Sequence, residues 1–270
     1  MYIIAEIGSN CFKSKNNVEN LNNALSQIVR AKECGASAVK FQFFTAQDLY
    51  GETRPEVKMY EMPADWLPAL KARCNAADID FMCSAFSIEG FEQVDKFVEM
   101  HKLASPEFCD PTLRDYLFRG DKPVMFSLGC CPVEDNHLWV DSCRKDIDVA
   151  MECVSLYPAG ISDYNLAPIH DISVKKGLSW GLSDHTLNAG TAIMAQKLGA
   201  TCFEKHVDLM LDETITPDTC VSISAKQFKS YCLSLRSSQR DFSNDLKRTA
   251  KLKYGRILRN GGCYRPMRKE

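Results

Sequence analysis

Charged and hydroxyl-bearing side chains recur where short apolar segments of this chain end. Glu6 and Asn10 close Tyr2–Gly8, and Lys40 and Gln42 lie in Ala38–Phe44. Ser84 lies in Asp80–Phe86, while Lys102, Ser105 and Glu107 belong to Lys102–Ser105 and its exit. Ser127 is near the end of Pro123–Gly129, and Ser155 and Tyr157 end Val149–Pro158. Ser183, Asp184 and His185 end Trp180–Thr186; Glu204, Lys205 and His206 lie in Thr201–Leu209, with Asp218 in the following loop. Strands covered on both faces should be almost wholly apolar. Charges in so many of them are costly unless they share one hydrated site.

The residue types say what such a site could do. Two histidines, His185 and His206, with an acid nearby could hold a divalent metal with open coordination positions. Lys40 and Lys102 with Ser84, Ser105 and Ser183 form a cationic, hydroxyl-rich pocket suited to a phosphate and a carboxylate. Lysine supplies compact charge and serine directional hydrogen bonds. Together they point to a metal-assisted enzyme acting on a small phosphorylated anion. Each member alone has a plainer reading. A strand lysine such as Lys40 or Lys205 can simply pair with a neighbouring acid, and a lone strand-end histidine is more often a satisfied hydrogen-bonder. Ser183-Asp184-His185 suggests a hydrolase relay, but adjacent strand residues point to opposite faces. Asp184 and His185 therefore cannot both aim at Ser183.

The elements that must position these groups alternate. Between the apolar segments lie stretches with helical spacing. In Val18–Cys34 the stripe is Val18, Leu21, Ala24, Leu25, Ile28 and Ala31. Trp66–Ala77, Glu89–Met100, Pro111–Arg119, Leu187–Leu198 and Lys226–Phe242 behave similarly. Gly35, Gly177 and Gly199 sit where helices should end. Eight strand–helix units in about 245 residues predict a (β/α)8 TIM barrel, whose catalytic groups converge at the C-terminal ends of the strands. A doubly wound sheet is the alternative, weakened by the lack of a G-x-G-x-x-G after any strand. Thr45–Pro63 is expected to be a long loop at the ligand-binding face, or a plain surface excursion.

Composition sets the outer limits. The 270 residues are 45% apolar and 25% charged, with a formal charge of -2, which excludes disordered and collagen-like classes. That total hides an asymmetry: nine basic residues and one acid between positions 246 and 270 give a tail near +8, against about -10 on the first 245 residues. The organisation expected is a catalytic barrel over 1–245 and a basic tail over 246–270. No stretch reaches the roughly 18 apolar residues of a membrane helix, and no signal peptide is read, so a cytoplasmic protein is expected. Thirteen cysteines, an odd number without a C-x-x-C, read as reduced and mostly buried thiols. Nucleic acid is not an expected partner; nine tail cations could meet phosphates, but a solvated or barrel-packed segment explains them as well.

At these residues the chain resembles the sialic acid synthase family, which includes N-acetylneuraminate synthase and its legionaminate and pseudaminate relatives. The resemblance is carried by Ile-Ala-Glu-Ile-Gly-Ser-Asn at 4–10, Gly-Ala-Ser-Ala-Val-Lys-Phe-Gln at 35–42 and Lys-Leu-Ala-Ser-Pro-Glu at 102–107. It continues through Lys-Pro-Val-Met-Phe-Ser-Leu-Gly at 122–129, Ser-Leu-Tyr-Pro at 155–158, Gly-Leu-Ser-Asp-His-Thr at 181–186 and Phe-Glu-Lys-His-Val at 203–207. Asp218 and Ser222 match an Asp and a Ser just after the last strand. The resemblance implies a (β/α)8 barrel that condenses phosphoenolpyruvate with an N-acylated aldose such as N-acetylmannosamine, giving a nonulosonic (sialic) acid and phosphate. It implies His185 and His206 as ligands of Mn2+, or of Mg2+ or Co2+. It implies Lys40, Ser84, Lys102, Ser105 and Ser183 as phosphoenolpyruvate contacts, and Gln42, Tyr157 and Asp218 as sugar contacts, with Ser155 also in the substrate site. Glu6 and Glu107 are the implied acids near the reacting centre.

Two departures from the family pattern stand out. The family usually has Asn-His and soon a Gly at the end of the first strand, where this chain reads Asn10-Cys11-Phe12-Lys13. The chain also stops near where the barrel ends. On this resemblance, the family's small antifreeze-like C-terminal domain, which brings an arginine to the partner's sugar site in a swapped dimer, is not expected within these 270 residues. A homodimer and the sugar preference are thus open, and a tail arginine could take the missing place. The competing reading is a barrel that binds an anionic ligand or partner without turnover, or with altered specificity.

Overall fold

In a computed structural model, which describes residues 1–131, 143–144, 147–210 and 212–238, period-two alternation along the strands separates two apolar cores. The strands are β1 (Tyr2–Glu6), β2 (Ala38–Phe43), β3 (Asp80–Ala85), β4 (His101–Leu103), β5 (Val124–Ser127), β6 (Val149–Cys153), β7 (Ser179–Asp184) and β8 (Cys202–Asp208). All pair in parallel and in sequence order, and β8 pairs back on β1, with Glu6 opposite His206. The sheet is closed and helices surround it: the expected (β/α)8 barrel. A two-residue strand, β9 (Ile223–Ser224), adds to the end of β8.

The inner core plugs the bottom of the barrel with Ile4, Ala38, Met82, Met125, Met151 and Cys202. Two residues further along the same strands come Glu6, Lys40, Ser84, Ser127, Cys153 and Glu204. By parity these share the lumen face, so the interior changes from apolar to polar within one layer. The outer core lies between sheet and helices and includes Ile3, Val39, Phe41, Phe81, Phe126 and Phe203. Burying each such side chain contributes roughly 1.5–3 kcal/mol. The helix Asn17–Cys34 shows how sequence fixes one of these packings. Asn16 caps it by accepting from the Val18 N–H, Ala24, Ile28 and Ala31 face the core, and Gly35 ends it at φ 102°.

The structure differs from expectation in four places. The strand beginning at Val149 stops at Cys153 rather than running to Pro158. The helix read over 89–100 is Ile88–Asp95. A helix over Leu166–Lys176 was not expected; it buries only Leu166, Ile169 and Ser173, too short a stripe to stand out. The segment 45–63 is not a bare loop but carries helices Ala46–Tyr50, capped reciprocally by Thr45 and Asp48, and Pro55–Lys58. The basic tail lies outside the described residues. All twelve cysteines within them are free thiols, and no described helix is long and apolar enough to cross a membrane.

Candidate active site

A cavity of ≈ 610 Å³ opens at the C-terminal ends of the strands. Glu6, Lys40, Gln42, Ser84, Lys102, Ser105, Ser155, Tyr157, Ser183, His185, His206 and Asp218 all line it. Residues read from seven separate strand ends and the loop after β8 are thus brought to one site. Glu107 is buried in the short helix Ser105–Phe108 and is not among the lining residues.

At the floor, two lysines and two glutamates interlock. Lys40 Nζ lies 2.7 Å from Glu6 Oε2 and 3.5 Å from Glu204 Oε2, and donates to Ser84 Oγ at 3.0 Å. Lys102 Nζ donates to Ser127 Oγ at 2.7 Å and lies 4.0 Å from Glu204 Oε2. Ser183 Oγ donates to Glu204 Oε1 at 2.9 Å. The two carboxyls behave differently. Burial pushes Glu204 up, but Lys102 and Lys40 outweigh it and hold it at about 2. Burial also pushes Glu6 up; Lys40 opposes this, the Glu204 charge adds to it, and the group rests at about 7. Burial lowers the Lys40 ammonium, yet Glu204 and Glu6 reverse that and its net shift is upward. The floor therefore sets two lysines, Lys102 shifted downward by its burial with Glu204 opposing, against one settled carboxylate, with hydroxyls between them. A small dianion fits that balance.

On the adjoining wall the rings of His185 and His206 lie 5.3 Å apart, with the Tyr157 ring 4.4 Å and 5.5 Å from them. His185 Nδ1 is 2.6 Å from the Val154 carbonyl, which assigns the proton to Nδ1 and leaves a lone pair on Nε2. Burial holds the His206 imidazole down at about 3, Asp218 opposing and His185 and Lys40 adding to the shift, so it is neutral. Its Nδ1 is buried without a hydrogen bond, Asp218 Oδ1 lying 3.6 Å away. Burial lowers His185, but Cys153 outweighs it and the net shift is upward. One neutral imidazole, and one oriented by a backbone carbonyl with its Nε2 free to bind, fit a divalent ion. Among the described residues no group of three or more His, Cys, Asp or Glu side chains converges on one point. Water and substrate oxygens would have to complete the sphere. Asp184 points away from both Ser183 and His185 to bond Thr186 and Lys205, so no hydrolase relay exists.

Asp218 is held from the first strand's loop. Its Oδ2 accepts from the Ser9 N–H at 2.7 Å and the Ser9 hydroxyl at 2.9 Å. Gly8, at φ +50°, makes room: a Cβ there would sit 2.3 Å from Asp218 Oδ2 and 3.0 Å from Gln42 Nε2. Gln42 Nε2 in turn donates to Glu6 Oε1 at 2.8 Å. The departing residues 11–13 do not line the cavity. Cys11 is buried against the Gly8 carbonyl, Phe12 stacks on Trp66, and Lys13 reaches Asp208 at the end of β8 and Asp212 beyond it.

Two groups of lining residues had no assigned role in the sequence reading. Glu204 and Ser127 sit at the centre of the charged floor. Parity could have found Glu204, because residues two apart on a strand share a face and His206 was already a candidate. The second group is the outer wall of Phe44, Leu49, Tyr50, Val57 and Tyr60. No chemical signal marks these apolar residues in the sequence.

Residues 27–247 match the model of the NeuB family. The chain belongs to the NeuB family. Among its NeuB-like relatives, the pseudaminic acid synthase of Helicobacter pylori is 29% identical over 258 residues, covering 87% of this chain and 74% of that protein. The N,N'-diacetyllegionaminic acid synthase of Legionella pneumophila is 27% identical, covering 88% and 72%. The crystal structure of the N-acetylneuraminic acid (sialic acid) synthetase of Leptospira borgpetersenii, in complex with citrate, superposes with a TM-score of 0.79 at 26% identity, covering 94% of this chain and 87% of that one.

Proposed function

We propose that this NeuB-family chain is a synthase that condenses phosphoenolpyruvate with an N-acylated aldose, N-acetylmannosamine-like, to give a nonulosonic acid and inorganic phosphate. The observation that carries this reading is the juxtaposition of the charged floor with the paired imidazoles of His185 and His206 in one cavity. Lys40 and Lys102, with Ser84, Ser105, Ser127 and Ser183, neutralise and orient the phosphate and carboxylate of phosphoenolpyruvate. Gln42, Tyr157 and Asp218, with Ser155, hold the open-chain aldose against it. The names of the relatives support a nonulosonic acid as the product class.

C3 of phosphoenolpyruvate forms a bond to the aldehyde carbon. The cationic C2 left behind takes up water, and the resulting tetrahedral centre expels phosphate. A divalent ion, Mn2+ by preference, held by His185 and His206 would polarise the aldehyde oxygen. Glu6, whose carboxyl rests near neutrality, exchanges a proton with the water or the departing group. Glu204 stays ionised and keeps both lysine side chains extended into the floor. The aromatic outer wall excludes water from the aldose.

The test is phosphate release from phosphoenolpyruvate and Mn2+ with a panel of N-acylated aldoses. Sugar-dependent release that disappears in His185→Ala supports the proposal. Release no greater than in His185→Ala, across the whole panel, sinks it.

A further inference from the structure

β7 and β8 pair over four rungs, from Gly181 with Cys202 to Asp184 with Lys205. Ser183 faces Glu204 across the ladder, and the next rung pairs Asp184 with Lys205. His185 and His206 follow one residue beyond. By alternation Ser183, Glu204, His185 and His206 face the lumen, and Asp184 and Lys205 face the helices. The outward rung before this one is Leu182 with Phe203, both fully buried in the outer core. Apolar residues are therefore what this layer ordinarily holds. At the rung just before the histidines it instead holds an ion pair, Asp184 Oδ1 to Lys205 Nζ at 3.3 Å, with both side chains 0% exposed.

Burying such a pair gives little net stability over an apolar pair of similar volume. Its remaining bonds show what else it does. Asp184 Oδ1 also accepts from the Thr186 N–H at 2.9 Å and the Thr186 hydroxyl at 2.7 Å, and Lys205 Nζ donates to the Thr186 carbonyl. The pair thus grips β7 on both sides of His185, from the β8 residue that precedes His206. Tyr164 completes the grip: its hydroxyl accepts from the His185 N–H at 2.7 Å and donates to the Ser183 carbonyl at 3.1 Å.

Resting on the proposed metal role of the two histidines, we infer that Asp184 and Lys205 are positioning residues: their ion pair behind the wall sets the separation and orientation of His185 and His206. Neither side chain lines the cavity, so any effect on the metal is transmitted through the strands.

Mn2+ affinity of the full chain, followed by loss of the free-ion EPR signal, tests this directly. Visible absorption of the Co2+ form reads the ligand geometry. The variant is Asp184→Asn with Lys205→Met, which keeps an acceptor for Thr186 and a side chain of similar length while removing both charges. It is expected to bind Mn2+ ten- to a hundredfold more weakly, the range typical of residues that orient metal ligands, and to alter the Co2+ spectrum. A folded double variant with native Mn2+ affinity and an unchanged spectrum overturns the inference. If the double variant does not fold, Asp184→Asn alone decides by the same two readouts. The premise is separately visible in the native chain: Mn2+ binding that survives His185→Ala unchanged removes the metal reading and this inference together.

Discussion

The floor and the outer wall of the cavity are built on different principles. Every charged floor residue sits on a strand and is tied to another floor residue: Lys40 to Glu6 and Ser84, Lys102 to Ser127, Ser183 to Glu204. The outer wall comes mainly from 44–60, where Tyr50 packs against Arg54 at 4.2 Å and Tyr60 meets Phe12 edge-on at 6.1 Å. It contributes aromatic surface and few directed bonds. A closed sheet fixes the floor's polar atoms in place before substrate arrives, which electrostatic stabilisation requires. Two short helices give the wall freedom to differ in shape without disturbing that arrangement. The floor should therefore govern rate and the wall should govern which aldose is accepted.

The sharpest way to break this division is at Lys102. Lys102→Met keeps the volume and removes one of the two ammonium groups. It should lower sugar-dependent phosphate release by about 10²–10³-fold, as loss of one directed charge contact at a reacting group does. The wall is untouched, so the ranking of aldoses should stay the same. A changed ranking with little loss of rate would mean that the floor also selects the sugar.

Gly8 tests the seam between the two halves. Gly8→Ala places a Cβ in the left-handed region and against the Asp218 carboxylate. The backbone alone should cost about 1–2 kcal/mol, measurable by urea denaturation. Displacing Asp218 from Ser9 should also raise the aldose KM more than the phosphoenolpyruvate KM. Native stability in this variant would show that the turn relaxes and that Asp218 is not held by it.

The same division decides what could be read from sequence. Barrel architecture and most of the floor were legible because charges in apolar strands are rare and parity allots each to a face. Glu6, Lys40, Ser84, Lys102, Ser183, His185 and His206 were all placed by that reasoning. Glu204 went without a role although parity places it beside them. The wall was legible only as a segment: 45–63 was read as a ligand-covering loop or a surface excursion, but which of its residues line the cavity was not, since Leu49, Tyr50 and Val57 differ in no local way from core residues. Whether an apolar residue lines a cavity or a core depends on how a segment folds back, and the helices at Ala46–Tyr50 and Pro55–Lys58 decide that. The helix Leu166–Lys176 was missed for a related reason, because its buried face is too narrow to register as periodicity.

A smaller effect is expected on the wall itself. Tyr50→Ala removes aromatic surface without touching a floor contact. The aldose KM should rise about tenfold, within the range for trimming an apolar subsite, while the phosphoenolpyruvate KM stays put. Steady-state titration of each substrate separates the two. Equal movement of both constants would place Tyr50 in the shared chemistry rather than in selection.

The mildest test concerns the two carboxyls of the floor. Glu204 is ionised throughout the accessible range, whereas Glu6 titrates near 7 in the folded chain against 4.5 for a free side chain. Between those values the native state holds a proton that the unfolded chain has released. Stability from this group is therefore fully present below about pH 4.5 and is lost as pH rises through about 7. Urea midpoints at pH 5 and pH 8 should differ less in Glu6→Gln than in the native chain, because glutamine cannot lose the proton. If the two proteins show the same pH slope, Glu6 is ionised like Glu204, and the floor carries two settled carboxylates against its two lysines. The cationic excess that favours a phosphorylated dianion would then have to come from elsewhere, and the division between a charged floor and a neutral wall would lose its electrostatic basis.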